Sequence, residues 1–120
     1  MNVLLGIDGT DRAFDALERT IARVRETGDD LTVAVVESDV TDPEAVERRI
    51  RTMLDDVDID AGIEQVEGHA GGALVELAEA GGFDRLVLDG GERTPTGKIR
   101  LDPTTEFVLL NAETSVTLAR

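Results

Sequence analysis

No cysteine occurs in the 120-residue chain. Disulfides, thiolate zinc sites and cysteine nucleophiles are therefore excluded. Tryptophan and tyrosine are also missing, and phenylalanine occurs only three times. Histidine occurs once, as His69, with no second histidine or cysteine to complete a metal cage. Long hydrophobic runs are absent as well. Val3 to Ile7 is too short for a signal-peptide core or a membrane span. The expectation is a cytoplasmic protein with no membrane contact.

Basic charge is scarce. The chain has 26 acidic and 12 basic residues, a net charge of −14, and Lys98 is its single lysine. Binding of nucleic acid through phosphates needs a basic surface, so that class is excluded. The acidic residues are spread along the chain and form no block, which argues against an acidic tail. Such a charge repels itself in dilute buffer, and salt shortens the Debye length to about 3 Å at 1 M. The low lysine content, high acidity and few aromatics resemble proteins of salt-accumulating halophiles, and the expectation is a halophilic, archaeal source.

What is present is a regular alternation. At 41% hydrophobic residues, the chain can bury the core of one domain spanning residues 1–120. Apolar strand-like runs lie at Val3–Ile7, Leu31–Val36, Gly62–Glu67, Arg85–Leu88 and Ser115–Ala119. Helical spacing joins Phe14, Leu17, Ile21 and Val24, then Val46, Ile50, Met53, Leu54 and Val57. It returns at Ala73, Leu74, Leu77 and Ala78, and again at Phe107, Leu110 and Asn111 or Ala112. Strands alternating with helices predict an α/β fold, a parallel sheet with helices on both faces. The first, second and fourth runs are continuously apolar, as interior parallel strands are. The third is half polar and the fifth alternates, which suits the edges. Right-handed crossovers then give the order 3-2-1-4-5, with a topological switch between strands one and four.

Local signals fix the boundaries. Thr10 or Asp11 starts the first helix, and Thr41-Asp42-Pro43-Glu44 offers a cap followed by proline. Gly28 and Gly81-Gly82 stop helices. Asp102 before Pro103 reads as another cap.

Two segments meet at the predicted switch. One is Gly6-Ile7-Asp8-Gly9-Thr10. The other is the loop from Asp89 to Arg100, longer than the usual 2–6 residues of such a connection. From Gly90 to Leu101 it holds Arg93, Lys98 and Arg100 against Glu92 alone, locally basic in an acidic chain. Its glycines let backbone N–H groups approach an anion, and a helix N-terminus follows. A phosphate-facing loop has these features, and so does an ordinary surface loop.

The segment Val3 to Thr10, followed by Ala13, Ala16 and Leu17, resembles the opening of universal stress proteins. Glu67-Gly68-His69-Ala70, the helix through Leu77-Ala78, and Phe83 to Leu88 are similar to that family's third and fourth units. Thr114 to Leu118 resembles its closing strand, so the resemblance covers essentially the whole chain. It implies a Rossmann-like fold of the adenine-nucleotide alpha hydrolase-like kind, frequent homodimers and stress-linked regulation. It also implies ATP or AMP as the nucleotide where one binds. The carried-over pocket comprises Asp8, Gly9, Thr10, Val35, Val36, Gly90, Gly91, Arg93, Thr94 and Thr104. There Asp8 contacts the base or ribose region and Val35 or Val36 flanks the base. Without the resemblance, Asp8 reads equally as a cap or turn residue.

ATP-binding members carry G-x2-G-x9-G-[S/T] after strand four. The aligned positions here are Asp89, Glu92, Asp102 and Pro103, and none matches. Side chains now stand where backbone must approach phosphate. Asp89 and Glu92 add negative charge. Asp102 would satisfy the helix N–H groups an anion needs, and Pro103 removes one of them. Gly90, Gly91, Arg93 and Thr94 are left to hold a smaller or re-registered anion.

Other motifs fail. Gly97-Lys98 is spaced wrongly for a P-loop and is followed by Ile99. Asp55, Asp56, Asp58 and Asp60 lack the EF-hand spacing and read as a solvated acidic edge. His69 reads as a helix-start residue. No general base beyond Asp8 presents itself, so the expectation is a protein without catalytic activity. It is read as a stress-response regulatory or sensing protein with a degenerate nucleotide pocket. The alternatives are an ATP or AMP binder with a re-registered loop, and a purely structural dimer. The expected partners are a second copy, paired through the C-terminal edge strand at Val116 and Leu118, and a regulatory protein.

Overall fold

The computed structural model describes residues 1–38 and 42–119, with Arg93 described by its backbone alone. Thr41, read together with Asp42 as a cap, lies outside the described residues.

The strands are β1 (Asn2–Ile7), β2 (Asp30–Val36), β3 (Gly62–Val66), β4 (Arg85–Asp89), the short β5 (Glu92–Arg93) and β6 (Ile99–Arg100), and β7 (Ser115–Ala119). The helices are α1 (Asp11–Thr27), α2 (Pro43–Asp56), α3 (Ala70–Ala80) and α4 (Pro103–Asn111). Five strands form one parallel sheet in the order β3-β2-β1-β4-β7, as the sequence predicts with β7 as strand five. The difference is a small antiparallel hairpin, β5–β6, inside the loop after β4.

Strand alternation sorts side chains into two layers. Val3, Leu5, Ile7, Val33 and Val35 point toward α1 and α2, meeting Phe14, Leu17, Ile21, Ile50 and Leu54. Leu4, Ala34, Val36, Leu86 and Leu88 point the other way, toward Leu74, Ala78 and Val108 of α3 and α4. Both faces of the central strands are thus covered, which is why they are apolar throughout. On the outer strand β7, Val116 and Leu118 pack against the α3–α4 layer and are half-buried.

The caps follow the residues that make them. Thr10 accepts a hydrogen bond from Ala13 N at the start of α1, and Asp42 from Glu44 N at α2. His69 Nδ1 accepts from Gly72 N at the start of α3, and the ring stacks edgewise on Phe107 at 4.7 Å. Gly28 closes α1 in the left-handed conformation. One expectation fails on α4. Its inward face is Thr105 and Val108, and Leu110 is 84% exposed. Asp102 and Pro103 start the helix at a phase the apolar spacing alone did not give.

Candidate functional site

β1 and β4 are neighbours, and the chain leaves them in opposite directions across the sheet. Their carboxyl ends make the crevice where an open α/β sheet takes a ligand. Gly6, Asp8, Val36, Leu74, Asp89, Asp102, Thr104 and Thr105 are among its lining. Its volume is about 20 Å³. That is room for about one water, against the several hundred Å³ of usual small-molecule sites.

Leu74 explains much of the narrowness. A Cβ placed on Gly6 would lie 2.8 Å from Leu74 Cδ1 and 3.0 Å from Leu88 Cδ2. A side chain at Gly6 would have to push Leu74 or Leu88 aside, because α3 drops its leucine onto the strand tip. A glycine inside an apolar strand is the sequence signal for such an approach.

Several backbone donors around the crevice are used internally. Asp8 Oδ1 accepts from Thr10 N at 3.0 Å and from Thr10 Oγ1 at 2.8 Å, a turn that leads into α1 through Gly9 at φ +89°. Gly90 N donates to Ala119 O at 2.8 Å. Gly91 N donates to Asp89 Oδ1 at 3.0 Å. Thr105 N, in the first turn of α4, donates to Asp102 Oδ1 at 2.8 Å. Helix N-termini and glycine loops attract anions through such groups, and here the carboxylates of Asp8, Asp89 and Asp102, with the Ala119 carbonyl, take them.

Asp89 is the buried member, 8% exposed. Burial pushes its carboxyl above the ordinary aspartate range, and the nearby charges of Asp102 and Asp8 add to the rise. The Gly91 N–H and Arg12 oppose it. Arg12 Nε lies 3.9 Å from Asp89 Oδ1, and its Nη1 lies 3.8 Å from Glu92 Oε2. One guanidinium of α1 therefore clips the end of β4 to β5. Sequence reasoning missed Arg12. The available signal was a lone basic residue following Asp8 and Asp11.

The structure separates the other expected residues. Val36 lines the crevice, whereas Val35 lies in the α1–α2 layer. Thr104 lines it as well. Thr94 sits beyond β5, where its N–H donates to Lys98 O at 2.7 Å and its carbonyl accepts from Gly97 N at 2.9 Å. Its hydroxyl is 3.0 Å from that of Thr96. Arg93 pairs with Ile99 through the backbone, and the anion contact expected of its side chain lies outside the described residues. Lys98 and Arg100 are exposed and line a separate open depression with Glu106. The expected open cradle is thus a folded hairpin, with Lys98 and Arg100 apart from the crevice. Among the described residues no carboxylate or histidine grouping fits a metal ion. Also among them, no helix is long and apolar enough to cross a membrane.

The architecture matches solved structures over nearly its full length. A universal stress protein in complex with cAMP is 23% identical, with TM-score 0.79, covering 100% of this chain and 96% of that one. The fold is that of universal stress proteins. A universal stress protein from Archaeoglobus fulgidus is 21% identical, with TM-score 0.69 and coverage of 100% and 98%. A universal stress protein family protein from Arabidopsis thaliana with AMP bound is 12% identical, with TM-score 0.71 and coverage of 98% and 90%. No family model and no curated protein matches the sequence.

Proposed function

We propose that this chain is a non-catalytic regulatory or sensing protein of the universal stress type, whose crevice has lost its grip on polyphosphate. The observation that carries this reading is the occupation of the crevice's donors by Asp89 and Asp102. Solved proteins of this fold include complexes with cAMP and with AMP, so the crevice is the natural place to ask the question. Here three carboxylates, from Asp8, Asp89 and Asp102, line a space of about 20 Å³. A triphosphate would have to displace them, bring like charge among them and move Leu74.

The same reading takes the protein as a homodimer built beside the free edge of β7, in a cell with concentrated salt. Exposed parallel edges are normally covered, and α4, just before that edge, exposes Leu110 and Leu109.

Isothermal calorimetry with ATP and magnesium in molar salt tests the central claim. The expected result is no saturable heat and no thermal shift. Stoichiometric binding of ATP would overturn it in favour of a re-registered nucleotide site.

A further inference from the structure

The sheet has five strands and four covering helices, and the shortfall leaves one place open. α1 and α2 share one face, and α3 and α4 the other. Among the described residues, the α1-side face of β7 carries no helix of its own. Ser115, Thr117 and Ala119 stand on that face, in register with Arg85, Val87 and Asp89 of β4. Small and hydroxyl side chains there take the place of the valines and leucines of the covered strands. The result is a groove of about 430 Å³ between β7 and the C-terminal half of α1.

Its charge runs against that of the molecule. In a chain of net charge −14, Arg19, Arg23 and Arg85 all line this groove. Arg19 and Arg23 are four residues apart on α1, so they share a helix face, and like charges at that spacing disfavour the helix by a few tenths of a kcal/mol. Arg85 enters from β4 and is half-buried. Among the described residues, neither Arg23 nor Arg85 has an acid within ion-pair distance, although the charge of Arg85 acts on Asp29 at the rim. Asp29 on the rim is engaged by the N-terminal ammonium at 3.1 Å, and Glu26 is the other acid in the lining. The floor offers Val3, Val24 and Val87 beside the Thr117 hydroxyl.

We propose that this groove is a binding site for a small organic anion bearing phosphate or carboxylate groups. The guanidinium groups of Arg23 and Arg85 supply forked donors matched to either group. Thr117 adds a hydroxyl, and the valines take the apolar part of the ligand. The volume falls within the range of small-molecule sites. The groove faces α1 beside β7 and includes none of the residues lining the crevice between β1 and β4. The inference therefore stands independently of the function proposed above.

Two-dimensional amide NMR of the full chain tests it, with pyrophosphate and citrate titrated separately at constant ionic strength. Pyrophosphate probes the phosphate chemistry and citrate the carboxylate chemistry. The expected result is saturable shifts at Thr20, Arg85 and Thr117 with at least one probe. Arg23→Gln with Arg85→Gln should weaken that binding about tenfold or more, as loss of charge-assisted hydrogen bonds requires. Lys98→Gln with Arg100→Gln should change it less than about twofold, since the hairpin cations lie outside the groove. The single Arg23→Gln variant, on an exposed helix position, supplies the same reading if the double variant loses its dispersed spectrum. Shifts confined to residues 90–101, shifts that do not saturate, or affinity unchanged in Arg23→Gln and the double variant would each overturn the proposal.

Discussion

Asp102 Oδ1 lies 2.8 Å from the amide nitrogen of Thr105, so the N-terminus of α4 is closed by the carboxylate of its own N-cap residue. This cap both stabilises α4 and denies its first turn to an external anion. Asp102→Ala should lower stability by about 1 kcal/mol, the usual loss for such a cap. Asp102→Gly should lower it by only a few tenths of a kcal/mol, because glycine is tolerated at that position. Combined with Pro103→Ser, which restores an N–H group, Asp102→Gly should give saturable heat with ATP and magnesium where the parent gives none. Urea unfolding and calorimetry check the two halves. The same calorimetric response in parent and variant would show that the cap is no barrier.

Asp89 gives a pH dependence of defined sign. Its carboxyl is held above the ordinary range, chiefly by burial. The folded state therefore binds a proton that the unfolded chain has already released, and stability falls as pH rises through that window. Below the unfolded value, about pH 4 for aspartate, the penalty is absent. Asp89→Asn keeps an oxygen acceptor for Gly91 N and removes the charge. Its melting temperature should exceed the parent's at pH 7, and the gap should close as pH falls toward about 3. A gap constant with pH would assign the effect to something other than the carboxylate's charge.

Gly91 and Gly97 form a matched pair. Both have positive φ, +78° and +83°. A Cβ on Gly91 would also lie 2.4 Å from Arg100 O, whereas nothing lies within 4 Å of one on Gly97. Gly97→Ala should cost about 1–2 kcal/mol, the left-handed penalty alone. Gly91→Ala should cost more and break the pairing of β5 with β6, since the obstacle is backbone. Amide exchange at Thr94 would report the opening of the hairpin.

The Leu110 side chain provides a probe of assembly that leaves the core intact. It is 84% exposed on α4, whereas Val116 is half-buried beneath the helices. Leu110→Lys should raise the monomer fraction in light scattering while leaving the melting temperature of the monomer within about 0.5 kcal/mol of stability. An unchanged mass distribution would remove this part of α4 from the interface.

The strand order was legible because burial on two faces writes itself into composition. Leu4 and Leu5 face opposite layers and are both apolar, while β3 reads half polar at the edge. The caps were legible because Thr10, Asp42 and Asp102 hold the short oxygens that helix starts require. The crevice was legible in place but not in depth. Its closure depends on Leu74, whose reach to Gly6 is a fact of packing between elements distant in sequence. The hairpin β5–β6 escaped because two-residue strands carry no periodicity. The Arg12 clip and the arginine groove escaped for a related reason. Each gathers residues from separate elements, and no spacing within one segment records the meeting.

Charge supplies the last prediction. The chain holds 26 acidic residues against 12 basic ones, so at least 14 carboxylates have no basic side chain to pair with. Most of the negative charge is therefore balanced by solvent ions rather than by the fold. Self-repulsion acts over about 10 Å at 0.1 M salt and over about 3 Å at 1 M. The compact state brings the charges closer than the unfolded chain does, so screening favours folding. The melting temperature should rise from about 0.1 to 1 M potassium chloride. Sucrose, which strengthens burial without screening, should raise it less at equal osmolality. A variant exchanging Asp55, Asp56 and Asp58 for asparagine should gain less from salt than the parent, because it has less repulsion to relieve. If salt and sucrose act alike on both chains, repulsion is not what limits stability, and the acidic surface needs another explanation.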